Sequence, residues 1–101
     1  MTKAKITVIK RMVNFDIIKE FIEEDSELGP CNLVEDGQVF IQEGWEPPEG
    51  FCPWAWSDIH KEIMLVRRGG SQSETMQKGT AIACCTDGFR PVVFRIERLD
   101  D

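Results

Sequence analysis

The pattern of hydrophobic and polar residues predicts four β-strands. In residues 4–12, Ile6 and Val8 fall on one face while Lys5 and Thr7 fall on the other, which is the period-two pattern of a strand with one buried face. The other three predicted strands are short apolar stretches: QVFIQE (38–43), GTAIACC (79–85) and PVVFRIERL (91–99).

An apolar period of three to four residues predicts two helices. The first helix is short, covers residues 14–24 and has Asn14 as a suitable N-cap. Its apolar positions at helical spacing are Phe15, Ile18, Phe21 and Ile22. The second helix is longer: it begins at Pro53, because proline is preorganised for the first helical position, and ends at Gly69-Gly70. Its predicted core-facing stripe consists of Trp56, Ile59, Ile63 and Val66, with Ala55 beside them.

The order of these elements, β-α-β-α-β-β, predicts an α+β fold in a single domain, residues 1–101. The expected architecture is a small, mostly antiparallel sheet of about four strands, with one long helix on one face and one short helix. Asp87-Gly88, between the last two predicted strands, is a strong signal for a tight turn and predicts a C-terminal hairpin.

Composition favours a globular domain and argues against nucleic acid as a partner. Hydrophobic residues make up 42% of the chain and charged residues 30%, which is ordinary for a globular protein. The formal net charge is -6, and apart from Arg67-Arg68 the basic residues are scattered, whereas phosphate binding needs a clustered cationic surface. The acidic stretch EEDSE (23–27) is typical of a solvated loop.

The sequence predicts a cytoplasmic protein. Its longest apolar runs are far too short to span a bilayer, and the alternating N-terminus lacks the apolar region of a secretory signal. The four cysteines are then expected to be reduced thiols. Their spacing contains no CxxC pair, so it matches neither a zinc-ribbon nor a thioredoxin pattern.

Several motifs resemble a known family, one of small conserved hypothetical proteins from bacteria and archaea, many of them anaerobes. The similar stretches are GPC (29–31), DGQVFI (36–41), GFCPWAWSDI (50–59) and CCTDGFRPVVF (84–94), and the resemblance covers nearly the whole chain. It implies a stand-alone domain and no particular mechanism. It also implies cysteines in related chains at the positions of Cys31, Cys52 and Cys85.

Cys52 is a candidate reactive thiol, because the start of a helix favours the thiolate form of a cysteine placed there. FCPWA superficially resembles a redox motif with a cysteine, a proline and an aromatic residue, but Ala55 stands where a resolving cysteine would be. A thioredoxin fold would also need a helical crossover where this chain has a predicted tight turn. Single-cysteine thiol chemistry on another fold stays open.

Cys31, Cys52 and Cys85 are the candidate metal ligands, with zinc or iron as the candidate metal. They come from a loop, a helix start and a strand end, three places that can meet at one end of a small sheet. Neighbouring strand residues point to opposite faces, so Cys84 and Cys85 are not expected to serve one site. His60 lies roughly two helical turns beyond Cys52 and is a poor partner for it. The alternative is that the cysteines pack as small hydrophobic residues.

Trp54 and Arg90 are further candidate ligand contacts. Trp54 falls off the apolar stripe of the long helix. Like Trp45 in the proline-rich loop, it stacks on a ligand, stacks on a partner chain, or packs as a lid over the helix start. Arg90 and the unpaired N–H groups of the helix start would suit a carboxylate or phosphate, but Arg90 can also pair with Asp58 or Asp87.

Hydrolytic chemistry has little support from the sequence. The chain has one histidine and no nucleophile elbow. Asp58 and Glu62, four residues apart on the long helix, are expected to be a solvated surface pair.

The leading hypothesis is a small cytoplasmic binding domain whose cysteine-lined site takes a metal or a small molecule, with Cys52, Trp54 and Arg90 as ligand contacts. One alternative is a homodimeric interaction module with structural cysteines, because the edge strands of so small a sheet need cover. The other is a single-cysteine, thiol-dependent enzyme, although no recognisable catalytic motif is present. Neither nucleic acid nor a membrane is an expected partner.

Overall fold

The structure is a computed structural model that describes residues 2–22, 29–74 and 76–100. It confirms the predicted α+β class, with a four-stranded antiparallel sheet and two helices among these residues. The elements are β1 (Lys3–Arg11), α1 (Phe15–Phe21), β2 (Val39–Gln42), α2 (Pro53–Arg67), β3 (Thr80–Cys84) and β4 (Val92–Leu99). The acidic stretch 23–27, predicted to be a solvated loop, lies outside the described residues.

The sheet has the strand order β2-β1-β4-β3, and each neighbouring pair is antiparallel. On the central strand β1, Ile6 lies opposite Phe40 on one side and opposite Ile96 on the other. The strands β2 and β3 are therefore the two edges. Because none of these pairs is parallel, the sheet contains no helical crossover between parallel strands.

The hydrophobic core lies between one face of the sheet and α2. Alternate residues of β1 are buried, namely Ala4, Ile6 and Val8, as the period-two pattern requires. The buried residues of α2 are Ala55, Ile59, Ile63 and Val66. Trp56, predicted to belong to this stripe, is only half-buried and lies against His60, with ring centroids 4.8 Å apart. The buried stripe therefore begins at Ala55.

Phe51 fixes the point at which α2 begins. Its buried ring meets Phe40 edge-on at a centroid distance of 4.9 Å and lies 5.6 Å from the ring of Phe94. The next residue, Cys52, occupies the N-cap with extended backbone, and Pro53 takes the first helical position. The thiol of Cys52 is thus held at the boundary between the core and the helix start.

The helix α1 buries less than its apolar spacing predicts. Ile18 is buried, whereas Phe15 and Phe21 are each 65% exposed. Asn14 occupies the N-cap position, but its side chain makes no capping bond and donates instead to the carbonyl of Gly88 at 2.7 Å. Asn14 thereby ties the start of α1 to the connection between β3 and β4.

That connection is not the expected tight turn. The last ladder bond runs from the N–H of Cys85 to the carbonyl of Val92 at 3.1 Å, so residues 86–91 form an open loop. A two-residue type I′ turn needs positive φ at both central residues, and neither Asp87 nor Gly88 has it. The loop leaves room for a cavity at this end of the sheet.

Candidate functional site

A cavity of about 530 Å³ lies where α2 begins. Its walls come from the segment 31–34, the first turns of α2, the loop that follows β3 and the start of β4. All the residues predicted to contact a ligand or a metal line it, although they are far apart in sequence: Cys31, Cys52, Trp54, Cys85 and Arg90. We call it the cysteine-lined cavity.

Three of the four free cysteines line the cavity, and each of the three is half-buried. The sulfur of Cys85 accepts a hydrogen bond from the N–H of Val92 at 3.2 Å, which fixes the orientation of that side chain. Cys84 is exposed and is absent from the cavity lining. Adjacent residues at the end of β3 therefore point in different directions, as the strand pattern predicts.

The metal site expected from Cys31, Cys52 and Cys85 finds no support in the part of the chain that the structure describes. Among the described residues, no three His, Cys, Asp or Glu side chains are arranged so that they could hold a metal ion. Zinc needs its thiolate ligands at about 2.3 Å, which brings them nearly into mutual contact. Cys31, Cys52 and Cys85 line the same cavity, but they do not form such a group.

The loop 86–91 is held in place from two other elements. The N–H and the hydroxyl of Thr86 both donate to the Asp58 carboxylate, at 2.8 and 3.0 Å. The N–H of Asn14 donates to the carbonyl of Phe89 at 2.9 Å, beside the side-chain bond to Gly88. One wall of the cavity is thus preorganised by α2 and by the segment before α1.

The expected solvated pair of Asp58 and Glu62 is not observed. Asp58 is engaged with Thr86, and the Glu62 side chain is 15% exposed, with Lys61 at 3.5 Å. Spacing on α2 alone cannot anticipate that Thr86, in the loop following β3, engages Asp58.

Asp87 organises the loop and pairs with Arg90. Its Oδ1 accepts hydrogen bonds from the N–H groups of Phe89 and Arg90, at 2.9 and 3.0 Å. The Nε of Arg90 lies 3.9 Å from Oδ2 of Asp87. Of the two ion-pair partners that the sequence leaves open, the structure has Asp87. At this distance the pair is long, and the guanidinium stays at the cavity wall.

The segment 31–34, another part of the wall, is held by Arg11, a residue that the sequence does not single out. Its guanidinium donates to the carbonyls of Cys31 and Val34 at 3.1 and 3.3 Å, and its Nε donates to Asp36 at 3.0 Å. These partners are 20 or more positions away in the chain. No local pattern marks such a long-range anchor.

The tryptophans do not pack as a lid. Trp54 is 78% exposed and lines the cysteine-lined cavity. Trp45 is 73% exposed and borders a different hollow of about 210 Å³, together with Met64 and Arg67. Of the two candidates, only Trp54 is placed to stack on a molecule in the cavity.

The electrostatic environment of Cys84 disfavours its thiolate. Although Cys84 is exposed as a residue, partial desolvation of its thiol, followed by the nearby Cys85 and Asp58, raises the pKa of that thiol above its usual value. Its sulfur donates instead to the Cys85 carbonyl at 3.2 Å. Cys84 therefore lacks both the position and the ionisation expected of a catalytic thiol.

Comparison with protein-family models, with curated proteins and with solved structures gives no match for this chain. The family resemblance carried by GFCPWAWSDI and CCTDGFRPVVF therefore stays a prediction. Neither described helix is long and apolar enough to cross a membrane.

Proposed function

We propose that the protein is a small-molecule-binding domain whose ligand occupies the cysteine-lined cavity. The observation that carries this proposal is the convergence of Cys31, Cys52, Trp54, Cys85 and Arg90 on one cavity. Its volume of about 530 Å³ falls within the range of about 300–1,000 Å³ that is usual for ligand pockets. The four free cysteines favour a reducing compartment, the cytoplasm.

The lining favours a flat, mostly apolar ligand with one anionic group. Besides the thiols and Trp54, the apolar lining residues are Leu33, Val34, Ala55, Phe89, Val92 and Phe94. Arg90 is the cationic residue of the lining. The carboxylates of Asp58 and Asp87 already accept hydrogen bonds from the loop 86–91, so their charge is directed at the loop backbone.

Ligand binding in the cavity can be tested with the fluorescent probe anilinonaphthalene sulfonate, which consists of apolar aromatic rings and one anionic sulfonate group. Gly88 lines the cavity, and a β-carbon added there meets no atom within 4 Å, so Gly88→Phe adds a bulky side chain beside the cavity at a position with free space for its first atom. We expect the variant to bind the probe about tenfold more weakly or worse, because the ring occupies ligand volume. Gly29→Phe is the matched control, since Gly29 is equally unobstructed but lies outside the lining.

A second variant tests the charge of the ligand. Arg90→Gln is expected to weaken binding of the sulfonate probe while leaving that of a neutral apolar dye nearly unchanged. The proposal is contradicted if the wild-type protein shows no saturable binding, or if Gly88→Phe and Gly29→Phe bind the probe equally well. Circular dichroism of each variant establishes that it is folded.

A thiol-dependent reaction is the second candidate function, because the thiols of Cys52 and Cys85 lie at the wall that a bound molecule would contact. Alkylation followed by peptide mass analysis measures the rate for each thiol. One fast-reacting thiol, whose rapid alkylation disappears in Cys52→Ser, would support a thiol-dependent enzyme.

Elemental analysis of anaerobically purified protein tests the metal hypothesis, which predicts stoichiometric zinc or iron.

A further inference from the structure

The two edge strands of the sheet differ in whether a side chain pairs with their outward backbone groups. On β3, the side-chain amide of Gln72 pairs with the outward backbone of Ile82: its Nε2 donates to the Ile82 carbonyl at 2.8 Å, and its Oε1 accepts the Ile82 N–H at 2.9 Å. A side chain thus takes the place of a neighbouring strand at the centre of this edge. Such cover is a usual way to prevent an edge strand from pairing with another chain.

Among the described residues, no side chain pairs with the outward backbone of β2 in this way. The N–H of Val8 donates to the carbonyl of Gln38 at 2.9 Å, and Ile6 lies opposite Phe40. Because hydrogen-bonded and outward residues alternate along an antiparallel strand, the backbone groups of Val39 and Ile41 point away from β1. Within residues 2–22, 29–74 and 76–100, no hydrogen bond to these outward groups is found.

The side chains at this edge are apolar and partly exposed. Val39 and Ile41 are each 46% exposed, on the sheet face opposite α2. The stretch GQVFIQ (37–42) carries no charge, although 30% of the chain is charged and its net charge is -6. A second copy of the chain pairing here would therefore meet no like charge on the facing strand, in spite of the acidity of both copies.

We propose that β2 pairs antiparallel with β2 of a second copy, about a two-fold axis at Phe40. In this register Val39 of one copy faces Ile41 of the other, and the outward N–H and C=O groups of both residues are satisfied in both copies. The four aliphatic side chains become cross-strand neighbours on one face. The edge is self-complementary, as a two-fold interface requires. The result is a continuous sheet of eight strands. This proposed dimer does not depend on a ligand in the cysteine-lined cavity.

The test is the mass in solution, measured by light scattering over a dilution series. The wild-type protein is expected to approach twice the chain mass of 11.6 kDa at high concentration. Ile41→Glu is expected to remain near 11.6 kDa, because it places a charge within the paired strands of two acidic copies. Within one copy the new carboxylate lies opposite Lys5, so the fold of the single chain is retained.

Ile82→Glu is the matched control. Ile82 is an outward residue of the other edge, is 40% exposed and lies opposite the cation Arg95, so the substitution has the same chemistry at the covered edge. This variant is expected to dimerise like the wild type. Hydrogen exchange supplies a second readout: the amides of Val39 and Ile41 should gain protection as the concentration rises. A monomeric wild type at all concentrations, or a monomeric Ile82→Glu beside a dimeric Ile41→Glu, would overturn the proposal.

Discussion

Gln42 is a polar residue that is completely buried. Its Nε2 lies within 3.1–3.3 Å of the carbonyls of Glu43, Gly44 and Glu46, and its Oε1 accepts a hydrogen bond from Arg67 at 3.1 Å. One amide therefore closes the turn after β2 and joins it to the end of α2. A buried amide is tolerated at this position because both its donor and its acceptor are satisfied.

The Cys84 thiol offers a test at the scale of one residue. Its raised pKa means that the reactive thiolate becomes populated only at a higher pH than in an ordinary free cysteine. Alkylation of Cys84 by iodoacetamide, followed by peptide mass analysis from neutral to alkaline pH, should therefore reach half of its maximal rate at a higher pH than alkylation of a cysteine in an unfolded peptide. A lower midpoint would contradict the environment described for this thiol.

Single residues differ in how far the sequence reveals them. Cys52, Trp54 and Arg90 could be predicted as neighbours of one site because a helix start and a loop after a strand tend to meet at the end of a sheet. Arg11 and Asn14 could not, since each acts through hydrogen bonds to backbone groups that are distant in the chain. The type of a residue gives no indication of such partners.

Among the elements, the strands and α2 follow from the sequence more closely than α1 does. The bounds of β1 and α2 depart little from the predicted ones, because burial of one face imposes a clear period on their sequences. The helix α1 has the same kind of apolar spacing, yet Phe15 and Phe21 face solvent. Periodicity indicates that a helix can bury a face but does not ensure that a surface is available to cover it.

The contact between α2 and the loop 86–91 gives a test at the scale of elements. Asp58→Ala is expected to lower the free energy of unfolding by about 1–3 kcal/mol, because two donors of Thr86 lose a charged acceptor. It should also weaken binding of a neutral apolar dye, since the loop forms part of the cavity wall. Denaturant unfolding measures the first effect and fluorescence titration the second.

Thr86→Ala removes the hydroxyl bond and keeps the N–H bond to Asp58. Combined with Asp58→Ala in a double-mutant cycle, it isolates the coupling between the two side chains. Additive losses of stability in the cycle would show that this side-chain pair does not contribute to holding the loop on α2.

For the whole molecule, the proposed dimer makes a prediction about further growth. The dimer would present β3 at both ends of its sheet, and Gln72 covers both ends. Gln72→Ala should expose the backbone of Ile82 and allow dimers to add to one another, so that light scattering rises with concentration beyond the dimer mass. Gln77→Ala, a substitution in the same loop, is the control, and the mass of this variant should not rise beyond that of the dimer. Equal behaviour of the two variants would show that Gln72 does not limit association.

The α+β architecture of the whole molecule could be predicted from the order of its elements, since a closing pair of strands and one long amphipathic helix leave few ways to build one core. The order of the elements could not decide whether the cysteines form a metal site. Chain order brings Cys31, Cys52 and Cys85 to one end of the sheet, but whether thiols converge to bonding distance depends on differences of a few ångströms in the loops.

No single segment of the chain forms the cysteine-lined cavity by itself. Arg11 fixes one wall, and Asp58 and Asn14 fix another, so the cavity exists only in the folded state. A molecule that fits it binds the folded chain alone and stabilises it by mass action, by about 2.7 kcal/mol at a free concentration one hundred times its dissociation constant. For a domain of this size that corresponds to a rise in melting temperature of roughly 10–20 °C. Thermal unfolding in the presence of a metabolite collection can therefore identify the ligand before any activity is known.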